Sequence, residues 1–136
     1  MARSFFATDS DVPWVTVDAA TLTFTPQAGT FTSVTGKIKY KKIGKLVLLV
    51  VRFTGTVGVT GPLYISAPLP TAIANVLETI EQGNLHWWSG ASIGTSGALS
   101  VVVNGTFNVS AVSTAATTAF PTGVLTVSGQ AFFELS

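Results

Sequence analysis

His86 is the only histidine in the chain, and it stands directly before two of the three tryptophans in Asn84-Leu85-His86-Trp87-Trp88-Ser89-Gly90. An aromatic ring flanked by an imidazole and a carboxamide is suited to sugars. The apolar C–H face of a sugar packs on the ring, and polar neighbours set its orientation in a mostly preformed site. Were the segment a strand, Trp87 and Trp88 would point to opposite faces. One ring then belongs to the core. The other is free for a ligand or for a subunit interface. The candidate ligand-binding residues are therefore Asn84, His86, Trp87 and Trp88, with only one of the two tryptophans expected to be essential for binding.

Catalytic chemistry is poorly supplied. General acid–base and nucleophilic mechanisms draw on His, Cys or positioned carboxylates. The chain has one His, no Cys and six scattered carboxylates: Asp9, Asp11, Asp18, Glu78, Glu81 and Glu134. No G-x-S-x-G elbow accompanies His86. Two carboxylates could in principle cleave a glycosidic bond, but no spacing here points to that. Asp9 and Asp11 lack the loop pattern of a calcium site and read as a solvated arm. The expectation is a non-enzymatic protein with no cofactor and no metal.

Lys37, Lys39, Lys41, Lys42 and Lys45 form the one charge cluster. The alternating lysines line one face of a strand. They read either as a patch for phosphate groups or as a solvated or edge-protecting face, since lysine discourages edge-to-edge pairing. The second reading accounts for them with fewer assumptions. The matches Asn104-Gly105-Thr106 and Asn108-Val109-Ser110 to the glycosylation sequon read as turn and strand.

The elements that must position these residues are strands. Thr, Val, Ser, Gly and Ala dominate the sequence, and β-branched residues favour pleated, half-buried surfaces. Period-two alternation marks Val15 and Val17, Leu22 and Phe24 among Thr21 to Thr25, and Ile38 and Tyr40 among the lysines. Leu46 to Val51 is apolar on both faces, as in a central strand covered on both sides or covered by a neighbouring subunit. Leu69-Pro70 marks a sheet exit. Thr71 to Gly83 is either a short helix, with Ile73, Val76, Leu77 and Ile80 on one face, or a loop running into a strand. Asn104-Gly105 predicts a two-residue type I′ turn. Val124 to Leu135 predicts a last strand, with Gly129 as a bulge or bend. The predicted core is Val15, Leu22, Phe24, Ile38, Tyr40, Val47, Leu49, Val51, Phe53, Ile65, Val101, Val103, Phe107 and Phe132.

Length and composition bound the rest. A chain of 136 residues suits one domain. Charged residues make up 10% and hydrophobic residues 47%, against roughly 25% charged in ordinary soluble domains. So small a domain cannot easily hide that much apolar surface alone, which points to burial between subunits. A net charge of +1 gives no global drive toward nucleic acid. No apolar run is long enough for a membrane span, and the first residues lack the apolar region of a secretory signal.

From Trp14, through Thr21 to Thr25, Tyr40-Lys41-Lys42-Ile43-Gly44-Lys45-Leu46-Val47 and Leu69-Pro70, to the strands between Ala98 and Phe133, the chain resembles the β-sandwich domains of phage tail-fibre and receptor-binding proteins. Lys45 and the Trp87-Trp88 pair depart from that pattern. The resemblance implies a sandwich, often a homotrimer, that binds cell-surface glycan, and it carries no catalytic motif. The expectation is one all-β domain over residues 1–136, an antiparallel, jelly-roll-like β-sandwich with at most one short helix and with residues 1–12 as an N-terminal arm. Its expected place is the virion, assembled in the host cytoplasm. Its expected partners are copies of itself, other virion proteins and bacterial surface polysaccharide, without nucleic acid or membrane insertion. The alternative is a capsid-decoration or structural tail protein that contacts only other virion proteins.

Overall fold

The structure is a computed structural model that describes residues 12–77, 80–89, 95–111 and 118–136, with the backbone alone for residues 80–82. The proposed arm lies almost wholly outside these residues. The protein is mostly strand, in one curled antiparallel sheet. Its nine strands are β1 (Val15–Asp18), β2 (Thr25–Pro26), β3 (Phe31–Ile43), β4 (Leu46–Val57), β5 (Tyr64–Pro68), β6 (Ile80–Ser89), β7 (Thr95–Val102), β8 (Thr106–Ser110) and β9 (Gly123–Glu134). They hydrogen-bond in the order β1-β3-β4-β9-β6-β7-β8-β5-β2, so β4 and β9 form the centre of one half and β7 and β8 of the other.

Alternation decides which side chains go inside. Val47, Leu49, Val51, Phe53 and Val57 of β4 are buried, as are Ile38 and Tyr40 of β3, Leu85 and Trp87 of β6, and Phe107 and Val109 of β8. Phe24 lies 4.7 Å from Phe53 and 6.3 Å from Phe107 by ring centroids. The curl therefore brings both halves of the sheet onto one apolar interior. The intervening members of each strand form the outer face of the sheet.

Tight turns and one irregularity set the register. Gly44, with φ +61°, heads the two-residue turn that pairs Ile43 with Leu46, as a type II′ hairpin requires. Between the pairs Thr32–Thr56 and Thr35–Thr54, Ser33 and Val34 oppose Gly55 alone. This is a bulge, with Ser33 at φ +55°, and it keeps both Phe31 and Ile38 pointing inward.

Several expectations are corrected. Val15 is 43% exposed because β1 is a four-residue edge strand with no described strand beyond it. Val103 is 48% exposed because it lies in a turn. The Asn104-Gly105 turn is a three-residue loop, not type I′: Val102 pairs with Thr106, and Gly105 N–H donates to the Val102 carbonyl at 2.9 Å. Gly105 takes φ +85°, as in a turn that ends in a left-handed glycine. Asn104 Oδ1 accepts from the Thr106 backbone N–H at 3.2 Å. Phe132 is 59% exposed, and Phe133 is the buried neighbour. Gly129 forms no bulge, because β9 pairs with β4 in unbroken register from Gly123 to Glu134. The phase that puts Leu125 and Val127 inside therefore runs on to Ala131 and Phe133.

Thr21 to Phe24 is not strand, and Thr25 only begins the two-residue β2. Ala19–Thr21 is a 3-10 turn capped by Asp18, whose Oδ1 accepts from Ala20 N–H at 3.0 Å. Leu22 and Phe24 reach the core from an irregular crossing and are half-buried. Thr71 to Gly83 holds no α-helix among its described residues. A 3-10 turn at Thr71–Ile73 leads through a Val76–Leu135 bridge toward β6. Ile73 and Val76 are buried, but Leu77 is exposed. No described helix is long and apolar enough to cross a membrane.

Candidate functional site

Strand β6 divides the Asn84–Trp88 segment as its alternation requires. Trp87 points inward and is 7% exposed. Its indole Nε1–H donates to the Ala111 carbonyl at 2.9 Å, and its ring meets Phe120 edge-on at 5.3 Å. It is a core residue and belongs to no ligand surface. Asn84, His86 and Trp88 share the outer face: Asn84 and His86 are exposed, and Trp88 is half-buried.

The register builds rows across that face. One row reads Asp18, Lys37, Arg52, Ser128, His86 and Ser96, one residue from each of β1, β3, β4, β9, β6 and β7. The adjacent row reads Thr16, Lys39, Val50, Gln130, Asn84 and Ala98 by the same pairings. On the other side lie Thr35, Thr54, Thr126 and Trp88, with Thr54 and Thr126 hydroxyls 3.1 Å apart.

Ser128 is a small side chain between the longer Arg52 and His86, and the face is hollowed on both sides of it. Toward β6 a depression of about 280 Å³ is lined by Val50, Asn84, His86, Ser128, Gly129 and Gln130. Toward β1 a wider one of about 470 Å³ is lined by Thr16, Lys37, Lys39, Val50, Arg52 and Ser128. The two share Val50 and Ser128.

The lysines separate into groups. Lys37, Lys39 and Lys41 line the outer face of β3, Lys42 alternates to the opposite side, and Lys45 sits in the hairpin turn. Lys39 and Lys41 place Nζ 5.0 and 5.2 Å from the centroid of the Trp14 ring. Lys37 Nζ is 3.8 Å from Asp18 Oδ2. Protection of a free edge does not account for Lys37 and Lys39, because β1 and β4 pair with β3 on either side of them.

Ser128, Gln130, Arg52 and Thr16 did not stand out as site residues in the sequence. The signal available was the polar alternation Thr126, Ser128 and Gln130 among Val127, Gly129 and Ala131. Of the carboxylates, Asp18 and Glu134 stand in different rows, with Glu134 opposite Leu46. Asp9, Asp11 and Glu78 lie outside the described residues. Among the described residues, no three His, Cys, Asp or Glu side chains gather into a metal site. No protein-family model and no curated protein matches the chain.

Proposed function

We propose that the chain is a non-enzymatic receptor-binding module of a phage-type virion, a tail-fibre or fibre-tip domain that recognises bacterial surface glycan on the outer face of its sheet. On this reading the curled sheet is a jelly-roll-like sandwich whose two halves stay hydrogen-bonded at their margins. The observation that carries the proposal is the gathering of Trp88, His86 and Asn84 on one face, beside a depression edged by Ser128 and Gln130. An aromatic plane next to fixed hydrogen-bonding groups suits a sugar, whose C–H face and hydroxyl rim need both. Trp88→Ala should abolish binding to the glycan selected on an array and cost about 1 kcal/mol of stability, well below a core truncation, because the ring is half-buried on the outer face. Unchanged glycan titrations for Trp88→Ala would remove the assignment.

A second reading, a capsid-decoration or structural tail protein that contacts only other virion proteins, draws on the apolar end of the same face. Ile43 and Leu46 are 42% and 43% exposed and Phe132 59%, beside half-buried Leu48. A monomer rarely leaves such a patch open. In the first reading a second copy of the chain covers it, most simply in a homotrimer; in the second, another virion protein does. Light scattering at micromolar concentration should give three times the 14.1 kDa chain mass. Phe132→Glu should return the monomer mass, because an unpaired charge in an apolar contact is costly. A monomer mass for the parent chain would end the trimer.

A further inference from the structure

We infer that the depression lined by Thr16, Lys37, Lys39, Arg52 and Ser128 is an anion subsite, and that the preferred ligand is an acidic glycan carrying carboxylate or phosphate groups; this rests on the glycan reading above and names its ligand class. Lys37, Lys39, Lys41 and Arg52 are four of the chain's seven Lys and Arg residues, and the register gathers them on adjacent strands β3 and β4. One carboxylate among the described residues, Asp18, shares their rows and meets Lys37. The patch is therefore far more cationic than a chain of net charge +1 would suggest.

The side chains are also held in place. Trp14 lies opposite the end of this patch, and its ring sits under both Lys39 and Lys41. A cation over an indole face gains about 0.5–1 kcal/mol at an exposed site. That contact restrains two long side chains before any ligand arrives, which lowers the ordering cost of binding. Arg52 contributes a planar fork that can hold a carboxylate or phosphate through two parallel hydrogen bonds. The Thr16 and Ser128 hydroxyls line the same hollow.

The subsite adjoins the depression lined by His86 and Asn84, with which it shares Val50 and Ser128, and Trp88 stands one row beyond His86. Lys37, Arg52, Ser128 and His86 sit on four consecutive strands, a span of about 14 Å at the usual interstrand spacing. A polymer crossing the strands would rest a sugar against His86 and its neighbour Trp88 or Asn84 and present its next acidic group to Arg52 and Lys39.

The test is surface plasmon resonance of the full chain against four probes: polygalacturonate, polyglycerol phosphate, neutral dextran and single-stranded DNA. At least one of the first two should bind, whichever does so identifying carboxylate or phosphate as the anion. Its affinity should fall about tenfold in the Lys39→Gln/Arg52→Gln variant and fall steeply with added salt. Lys42→Gln/Lys45→Gln makes the same charge change away from the hollow and should bind like the parent. Equal losses in the two double variants would reduce the effect to net charge and overturn the subsite. Single-stranded DNA bound as tightly, with the same loss in Lys39→Gln/Arg52→Gln, would overturn the glycan class. Binding to neither acidic polymer, with Trp88-dependent binding to an array glycan intact, would overturn the subsite alone; failure of every glycan would overturn both readings.

Discussion

Trp87→Ala should destabilise the protein by about 3–5 kcal/mol, the range for emptying a large aromatic core position. Two losses combine. The ring leaves a void beside Phe120, which it meets edge-on. The Ala111 carbonyl loses the indole N–H that it accepts at 2.9 Å, and an orphaned buried acceptor has its own desolvation cost. Trp87→Phe keeps much of the ring volume and removes the donor, so about 1–3 kcal/mol is expected. Thermal melts at one fixed protein concentration check both, since association would otherwise shift the midpoint. A fall no larger than that of Trp88→Ala would mean that Trp87 is not part of the core.

Gly36→Ala should be comparably damaging, at about 2–6 kcal/mol, although it adds one methyl group. Gly36 has φ +127°, and a Cβ there would stand 2.3 Å from the Arg52 carbonyl oxygen and 2.6 Å from the Phe53 Cα. Both atoms are backbone of β4, so no side chain can swing away. The strained backbone costs about 1–3 kcal/mol, and forcing apart a packed contact adds about 1–3 kcal/mol. Gly44 is the control. It also has positive φ, +61°, but a Cβ there meets nothing within 4 Å. Gly44→Ala should therefore cost about 1–2 kcal/mol, the left-handed penalty alone. Urea midpoints, with slopes compared to confirm similar surface exposure on unfolding, should rank the two variants in that order. Equal midpoints would mean that β3 and β4 can part at Gly36 without loss.

The strands that could be read from sequence are those whose alternation is uninterrupted. Ile38 and Tyr40, and the series Val47, Leu49, Val51 and Phe53, are buried as their spacing requires. What could not be read was phase and position in the sheet. Phe132 and Phe133 are equally apolar, and one residue of slip exchanges core for surface. Whether Gly129 supplied that slip depended on β4, far away in the chain. Val15 has the alternation of a core strand and the exposure of an edge, because strand order is a long-range property. Leu22 and Phe24 alternate with threonines, yet Asp18 caps a turn in front of them and the chain crosses irregularly.

The candidate site divides in the same way. The split of Trp87 from Trp88 follows from local period two, and so does the placement of Lys37, Lys39 and Lys41 on one side of β3. The union of the two groups depends on the order β3-β4-β9-β6, which sets Arg52 and Ser128 between the lysines and His86. No window of sequence contains that order.

The central pairing of β4 with β9 also governs how the chain reaches its native state. The nearest partners across it, Val57 and Gly123, are 66 residues apart in sequence. The β3–β4 hairpin can zip quickly around Gly44, but the other margin of β4 must wait for a segment made much later. Closing so long a loop is entropically slow, and topologies dominated by distant pairings fold in milliseconds to seconds. On the ribosome, that unsatisfied margin, with Leu46, Leu48 and Val50 beside it, is open to the same margin of another nascent chain. Yield should therefore depend on synthesis rate and chaperone supply more strongly than the finished sheet would suggest.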